Sequence, residues 1–234
     1  MTGTIYIARR FQGPPATGHG GYLSGLMSQF LDGAVEVTIR RPPPLERTLR
    51  VERRDGRIAV LDREMLVAEA TEIDLGTDIP PMITYEEAEQ ASKSYLGFGR
   101  SVFPGCLVCG ADLDESEGLR LFTGPVPDQD LVAGPWVPGE WVADEAGLVR
   151  PEFIWAALDC PGAWALHGRT MGPPVILGRL AARLIHPVAS GHRYIVMAWP
   201  SGRDGRKGFA GSAVLSAAGE LCAVAQATWI RIES

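Results

Sequence analysis

The residues best suited by type and spacing to do chemistry are Cys106 and Cys109, which form a C-x-x-C pair. That spacing occurs in zinc sites and in thioredoxin-like redox motifs. A zinc site needs four ligands, and the other cysteines, Cys160 and Cys222, have no partner at matching spacing. Glycine and proline flank the pair and place it in a loop, whereas a redox motif lies between a strand and a helix. We therefore predict a plain turn without metal or cofactor, with metal or redox chemistry as the alternative.

Asp159 is a second candidate, because it is an acidic residue in an otherwise apolar segment. Pro151 suits the first position of a helix, which we predict over residues 151–166. A carboxylate buried in such a helix is costly. Asp159 either caps a turn where Pro161 breaks the helix or serves a function, and the residues alone leave both interpretations open.

Composition limits the class of protein. The chain of 234 residues is 46% hydrophobic, which excludes disorder and collagen-like repetition, and its length allows one or two domains. The net charge of −6 gives no basic excess for binding nucleic acid. We find no signal-peptide core and no apolar run long enough to cross a membrane. We therefore expect a cytoplasmic protein without a membrane or nucleic-acid partner.

The predicted elements occur in the same order in two halves of the chain. The turn Arg-Asp-Gly-Arg stands at residues 54–57 and again at 203–206, and the closing strands 66–73 and 223–230 are similar in sequence. Residues 74–102 lack periodicity and predict a linker with at most one helical turn. The other predicted elements are a helix at 20–31 and strands at 35–39, 45–52, 57–61, 64–73, 119–123, 175–186, 192–199, 207–216 and 220–232.

This repetition indicates a tandem duplication of an α+β unit, in which one long helix packs on an antiparallel sheet. We expect an N-terminal repeat at residues 1–80, a linker at 81–102 and a C-terminal repeat at 103–234.

Several motifs are similar to those of a known family. His19-Gly-Gly-Tyr22 resembles the His-Gly-Gly motif of hotdog thioesterases. Cys106-Leu-Val-Cys-Gly110, followed by Gly118-Leu-Arg-Leu121, is similar to the opening of many hotdog domains. Ala156-Ala-Leu-Asp159 and Val224-Ala-Gln226 resemble the aspartate-bearing helix and glutamine-bearing strand of type II acyl-CoA thioesterases. The chain therefore resembles tandem, or double, hotdog thioesterases of the type II and PaaI-like kind.

The resemblance implies hydrolysis of an acyl-CoA thioester in a site between two hotdog units. The amides of Gly20 and Gly21 would form an oxyanion hole at a helix N-terminus. Asp159 would act as general base or nucleophile, and Gln226 would orient the water. The family adds a hydroxyl on the following strand, which this chain lacks. Either Asp159 and Gln226 position the water alone and catalysis is slow, or Ser28 supplies the hydroxyl from the other helix.

Spacing predicts that the two halves share one site. Seven residues, about two helical turns, separate Gly21 from Ser28 and Glu152 from Asp159. The first half has the glycines without the acid, and the second has the acid with Pro151 in place of a glycine. Gly21 and Asp159 could therefore assemble one complete site, whereas the opposite combination could assemble none.

Substrate contacts are predicted for one histidine and three arginines. His19 would hold the turn before the first helix. Arg169, Arg179 and Arg183 would contact the phosphates of coenzyme A or form surface ion pairs. We expect a homodimer of double-hotdog chains with an acyl-CoA substrate; the alternative is a non-catalytic acyl-CoA or lipid-binding protein.

Overall fold

The computed structural model describes residues 2–76, 78–99 and 103–232. Within these ranges, helices and strands follow the hydrophobic pattern of the sequence. The end of the predicted linker, residues 100–102, lies outside these ranges. The helices are α1 (Gly20–Ser28), α2 (Tyr85–Ser92) and α3 (Pro151–His167). The strands are β1 (Thr2–Tyr6), β2 (Ala34–Ile39), β3 (Thr48–Arg54), β4 (Arg57–Asp62), β5 (Met65–Ile73), β6 (Gly124–Pro125), β7 (Val132–Trp136), β8 (Val175–Leu184), β9 (Tyr194–Asp204), β10 (Lys207–Ser216) and β11 (Leu221–Arg231).

All of these strands belong to one antiparallel sheet in the order β1-β3-β4-β5-β2-β8-β11-β10-β9-β7-β6. Strands β2 and β8 pair at its centre, with Val35 opposite Ala182. Outwards from this centre, one side of the sheet has the strands β2-β5-β4-β3-β1, and the other has β8-β11-β10-β9-β7. Both sides therefore arrange five strands of one half of the chain in the same relative order. The α+β architecture with an antiparallel sheet is therefore confirmed.

The first predicted hairpin turn has the expected backbone. Asp55 and Gly56 adopt φ values of 49° and 78°, and Arg54 pairs with Arg57. Positive φ at both central positions is the type I′ geometry that matches strand twist, and Asp-Gly tolerates it. The second copy of the turn is shifted by one residue: Asp204 pairs with Lys207, so Gly205, at φ 57°, and Arg206 are its central residues.

Helices α1 and α3 pack closely because glycines face the contact. A Cβ on Gly25 would lie 2.4 Å from Glu152 Cα, and a Cβ on Gly21 would lie 2.6 Å from Asp159 Cβ. Gly25, later in α1 than Gly21, meets Glu152, which is earlier in α3 than Asp159, so the two helices run antiparallel. No helix among the described residues is both long and apolar enough to span a membrane.

Helix α3 continues through Pro161 to His167, so the interpretation of Asp159 as a cap at a helix break is wrong. Proline lacks the amide hydrogen that would bond the carbonyl four residues earlier. Burial of the helix against the sheet holds this segment together: the Ser212 hydroxyl donates to the Leu158 carbonyl oxygen at 2.6 Å.

Two further predictions about elements need correction. Residues 119–123 do not form a strand, because Arg120 adopts φ 52° and interrupts an extended chain. The predicted linker contains the eight-residue helix α2, whose Tyr85, Ala88 and Ala91 are buried against the sheet. The strand residues in contact with α2 alternate along the strands with the residues that face α3. Helix α2 therefore covers the face of the sheet opposite to α3.

Replacing Thr84 by alanine is expected to lower the free energy of unfolding by about 1 kcal/mol. The Thr84 hydroxyl accepts the Glu87 amide at 3.2 Å, and the Glu87 carboxylate accepts the Thr84 amide at 2.7 Å, which is a capping box. Urea unfolding measures the change, and Thr84→Ser, which keeps the hydroxyl, is the control. Equal losses in both variants would contradict a role for this bond.

Candidate active site

A cavity of about 310 Å³ lies between the two halves, beside the N-terminus of α1 and the middle of α3. Most of its lining is apolar, as is typical of ligand-binding cavities. The lining residues are 13–14, 17–20, 39–43, 103, 106, 109, 159–160, 163–164, 167, 174–178 and 229–230.

Asp159 reaches this cavity from α3 and is only 3% exposed. The Gly21 amide of α1 donates to its Oδ2 atom at 2.7 Å. Its Oδ1 atom is buried and has no hydrogen-bond partner in the described part of the chain. One oxygen is therefore anchored, and the other lacks a hydrogen-bond partner in that part of the chain. The predicted juxtaposition of Gly21 and Asp159 is confirmed, and their catalytic roles remain a prediction.

Burial raises the pKa of Asp159 to about 8, although the hydrogen bond from the Gly21 amide opposes the shift. Removing a carboxylate from water penalises its charged form more than one amide compensates. A carboxylate of raised pKa is a stronger base once it is ionised. The position therefore suits proton abstraction better than an exposed carboxylate would.

The first turn of α1 has fewer free amides than the resemblance implies. The first amides of a helix have no acceptor within that helix. The Gly21 amide is bonded to Asp159, and the Tyr22 amide donates to His19 Nδ1 at 3.3 Å. Gly20 has the first amide of the helix, lines the cavity, and has no side-chain or loop acceptor among the described residues. Of the two amides predicted to form the oxyanion hole, only that of Gly20 is free to donate while Asp159 accepts the Gly21 amide.

Trp229 provides a buried donor at the cavity that was not predicted from the sequence. Its Nε1 atom is buried without a hydrogen-bond partner in the described ranges, and the ring lines the cavity. The same atom would lie 2.9 Å from a Cβ placed on Gly162 of α3. Strand alternation supplies the missed signal, because residues 225, 227 and 229 share one face of β11.

Gln226 lies on the other face of β11, so its predicted place beside Asp159 is wrong. Its side chain is exposed and donates to the Gly76 carbonyl oxygen at 2.9 Å. With Asp78 it lines a separate cavity of about 380 Å³. Alternation explains the error: the neighbours that face α3 are the odd-numbered residues, such as Ala225.

Replacing Gln226 by alanine is therefore expected to leave kcat for the predicted thioester hydrolysis unchanged within about twofold, as for surface substitutions away from a site. Steady-state rates of thiol release measure this effect. A fall in kcat by orders of magnitude would return Gln226 to the catalytic machinery and would contradict the geometry.

Ser28 also lies away from Asp159, because the antiparallel helices place it at the other end of α1. Its hydroxyl donates to the Gly25 carbonyl oxygen at 2.9 Å. At that end the Gln29 amide group donates to the Glu152 carboxylate at 3.2 Å. The hydroxyl predicted for holding water is therefore not supplied by Ser28.

The three arginines predicted to contact substrate do not line the cavity. Arg169 donates to the Val126 carbonyl oxygen at 3.2 Å, and Arg183 is exposed on β8. Arg179 donates to Thr38 Oγ1 at 3.1 Å and forms an ion pair with Glu36. For Arg179 the alternative of surface ion pairing is confirmed.

Arg40 and Arg41 are exposed residues that do line the cavity. Arg40 forms an ion pair with Glu69 of β5. Both arginines follow β2 directly, so they place positive charge at the open edge of the cavity.

His19 caps α1 and connects Asp159 with a group of thiols. Its Nδ1 atom lies 3.4 Å from Asp159 Oδ2, and its Nε2 atom lies 3.2 Å from Cys160 Sγ. Cys160 Sγ in turn lies 3.6 Å from Cys106 Sγ. Hydrogen bonds with the Cys106 and Cys160 thiols lower the pKa of Cys109. Cys160 therefore has partners in the C-x-x-C pair, contrary to the expectation from spacing.

The fold is shared with solved structures. The tesB protein of Mycobacterium avium subsp. paratuberculosis matches with a TM-score of 0.63 and 12% identity, over 99% of this chain and 93% of that one. A candidate thioesterase from Novosphingobium aromaticivorans gives 0.64 and 11%, over 99% and 96%. A protein of unknown function with a hot dog fold from Alicyclobacillus acidocaldarius gives 0.61 and 9%, over 100% and 93%.

At such low identities these likenesses establish the fold alone, and the chain has the hotdog fold that the motifs implied. No protein-family model matches the sequence. No curated protein matches it either.

Proposed function

We propose that this protein is an acyl-CoA thioesterase, which hydrolyses an acyl thioester to the free acid and coenzyme A. The observation that carries the proposal is the buried Asp159 carboxylate, anchored at Oδ2 by the Gly21 amide, with Oδ1 unpartnered beside an apolar cavity. Two of the solved structures that share the fold are named for thioesterases or for tesB. Those names describe the neighbouring proteins, and the shared fold makes them support for the same activity in this chain.

The proposal includes a tandem double-hotdog organisation. The matching strand order on either side of the β2–β8 pair supports two repeats, each with one long helix, α1 or α3. We place the repeats at residues 1–80 and 103–234, joined by 81–102. The contact between Gly21 and Asp159 then crosses from one repeat to the other, and each repeat alone has an incomplete site.

The acyl group would occupy the apolar cavity, where burial of its methylene groups drives binding. The thioester carbonyl would point to the N-terminus of α1, where the Gly20 amide and the helix dipole stabilise negative charge on oxygen. The indole N–H of Trp229 is a further donor available on the β11 side. Arg40 and Arg41 at the open edge would face the phosphates of coenzyme A.

Asp159 would take a proton from a water molecule at its Oδ1 atom while the water oxygen attacks the carbonyl carbon. The tetrahedral intermediate then collapses, the carbon–sulfur bond breaks, and the departing thiolate takes the proton from Asp159. Direct attack by Asp159 would instead form an anhydride with the acyl group and expel the coenzyme A thiolate, and water would then hydrolyse the anhydride at the Asp159 carbonyl carbon. One turnover in ¹⁸O-labelled water separates the routes, because general-base catalysis labels the acid and direct attack labels Asp159.

The proposal is tested by incubating the purified protein with acyl-CoAs of graded chain length and aromatic acyl-CoAs, and measuring thiol release. We expect saturable hydrolysis of at least one class, at rates far above spontaneous hydrolysis. Failure with every class, in a protein that binds a thioether analogue, would contradict hydrolysis and support the second candidate function.

That second candidate is non-catalytic binding of acyl-CoA or of a lipid. It is favoured by one observation: Gln226 and Ser28, the groups expected to hold water, both lie away from Asp159. Calorimetry with a thioether analogue measures the affinity that both candidate functions predict. The proposed homodimer of chains is tested separately by sedimentation equilibrium.

A further inference from the structure

Three thiols and one imidazole meet at the wall of the cavity. Cys106 and Cys109 come from the loop before β6, Cys160 from α3, and His19 from the start of α1. All four residues are at most 8% exposed. The chain therefore converges from three separate segments on a buried cluster of soft donor atoms, which the proposed hydrolysis does not require.

The distances within the cluster suit one small metal ion. The ligand atoms of His19, Cys106 and Cys160 all lie within 4.8 Å of one another. Zinc–sulfur bonds near 2.3 Å and zinc–nitrogen bonds near 2.0 Å require edges of about 3.8 Å between sulfurs and about 3.5 Å between sulfur and nitrogen in a tetrahedron. The observed separations are 3.6 Å for Cys106–Cys160 and 3.2 Å for His19–Cys160.

Cys109 would supply the fourth donor after its side chain rotates inwards: hydrogen bonds link its thiol to those of Cys106 and Cys160, but its Sγ atom lies outside the group of ligand atoms that are all within 4.8 Å of one another. The loop that presents the pair is tight: a Cβ on Gly110 would lie 2.4 Å from the Pro104 carbonyl oxygen and 2.6 Å from that of Cys106. Only glycine fits there, and the C-x-x-C spacing is the one that zinc sites use.

The surroundings of His19 also suit a metal ligand. Metal-bound histidines usually donate their other ring N–H to a carboxylate, which fixes the ring orientation. His19 presents Nε2 to Cys160, while Nδ1 lies 3.4 Å from Asp159 Oδ2. In this structure Nδ1 accepts the Tyr22 amide at 3.3 Å. Zinc binding at Nε2 would therefore move the ring proton to Nδ1, which would then donate to Asp159 Oδ2 in place of the bond from Tyr22.

We propose that His19, Cys106, Cys109 and Cys160 form a tetrahedral zinc site that links the two halves of the protein. Binding would release each thiol proton to solvent and leave a site of three thiolates and one neutral imidazole, without any change of oxidation state. Because four protein ligands close the site, its role is structural. The proposal concerns a different group of atoms from hydrolysis and is tested without an activity assay.

The test begins with the full chain, reduced, stripped of metal by a chelator and titrated with Co²⁺. We expect one equivalent to produce thiolate-to-cobalt charge-transfer absorption and the strong visible bands of tetrahedral cobalt, and Zn²⁺ to displace it. X-ray absorption of the zinc-loaded protein is expected to show three sulfur neighbours at about 2.3 Å and one nitrogen at about 2.0 Å.

The chain offers matched controls. Serine at positions 106, 109 or 160 and His19→Asn are expected to weaken Co²⁺ binding by more than about tenfold. Cys222→Ser and His192→Asn change the same residue types outside the cluster and are expected to leave Co²⁺ binding unchanged. Cys222 contacts the Glu220 carbonyl oxygen instead, and His192 is exposed.

Three results would overturn the proposal. The first is no tetrahedral cobalt spectrum from the folded, reduced wild-type chain. The second is an X-ray absorption spectrum dominated by oxygen neighbours. The third is a mass two hydrogens lower with a disulfide among these cysteines in freshly isolated protein, which would indicate redox chemistry instead. The first two readouts use the wild-type protein, so they decide the question even where a variant does not fold.

Discussion

Replacing Asp159 by asparagine is expected to lower kcat/KM for acyl-CoA hydrolysis by about 10²–10⁴-fold, the range found for loss of a general base. Asparagine has the same shape, and its carbonyl oxygen can still accept the Gly21 amide that Asp159 accepts at 2.7 Å. The side-chain amide cannot take a proton from water. Affinity for a thioether analogue is therefore expected to remain close to that of the wild type, so the loss appears in kcat.

Glu152→Gln is the matched control, because Glu152 is a buried acid two turns earlier on α3. Its carboxylate accepts the Gln29 side-chain amide where the C-terminus of α1 meets the N-terminus of α3. It does not line the cavity. We expect its kcat/KM to stay within about twofold of the wild type, as for a group without contact to the reacting atoms. Equal losses in both variants would show that any change in α3 impairs activity and would remove the specific role of Asp159.

Replacing Gly21 by alanine is expected to have the second large effect, on stability and activity together. The added Cβ would lie 2.6 Å from Asp159 Cβ and 2.7 Å from the Trp155 carbonyl oxygen, and backbone atoms cannot rotate away as a side-chain end can. Helices α1 and α3 must then separate. We expect the free energy of unfolding to fall by about 1–3 kcal/mol, the usual cost of overpacking. Separation also breaks the bond that anchors Asp159, so hydrolysis is expected to fall with it.

Urea unfolding and thiol release on the same preparation measure both effects of Gly21→Ala. Gly76→Ala is the control, because nothing lies within 4 Å of a Cβ placed on Gly76. Gly20→Ala is expected to cost less than Gly21→Ala, since it meets the side-chain ends of Leu177 and Ile39. Wild-type stability in Gly21→Ala would contradict the close helix contact on which the shared site depends.

Local patterns allowed much of the fold to be predicted from the sequence. The period of apolar residues locates α1 and α3, and Asp-Gly pairs locate both hairpin turns, because each depends on residues adjacent in the chain. The left-handed conformation of Arg120 and the burial of α2 depend on tertiary packing, which local patterns do not encode.

The site was predictable where helical spacing applied. Counting seven residues along each helix predicts Gly21 beside Asp159, since an antiparallel pair brings the start of one helix beside a point two turns along the other. Gln226 was misplaced because the family motif does not state which strand face turns to the helix, although alternation along β11 does. The partner of Cys106 was missed because Cys160 is 54 residues away, and only the fold brings their thiols together.

The central claim is that Asp159, held between the two halves by Gly21, hydrolyses a thioester. Single-turnover thiol release with protein in excess over a good acyl-CoA tests it most directly, because product release no longer limits the rate. The account predicts fast release by the wild type and a rate lower by about 10²–10⁴-fold in Asp159→Asn at saturating protein. Equal single-turnover rates for the two proteins, with equal binding of the thioether analogue, would contradict it.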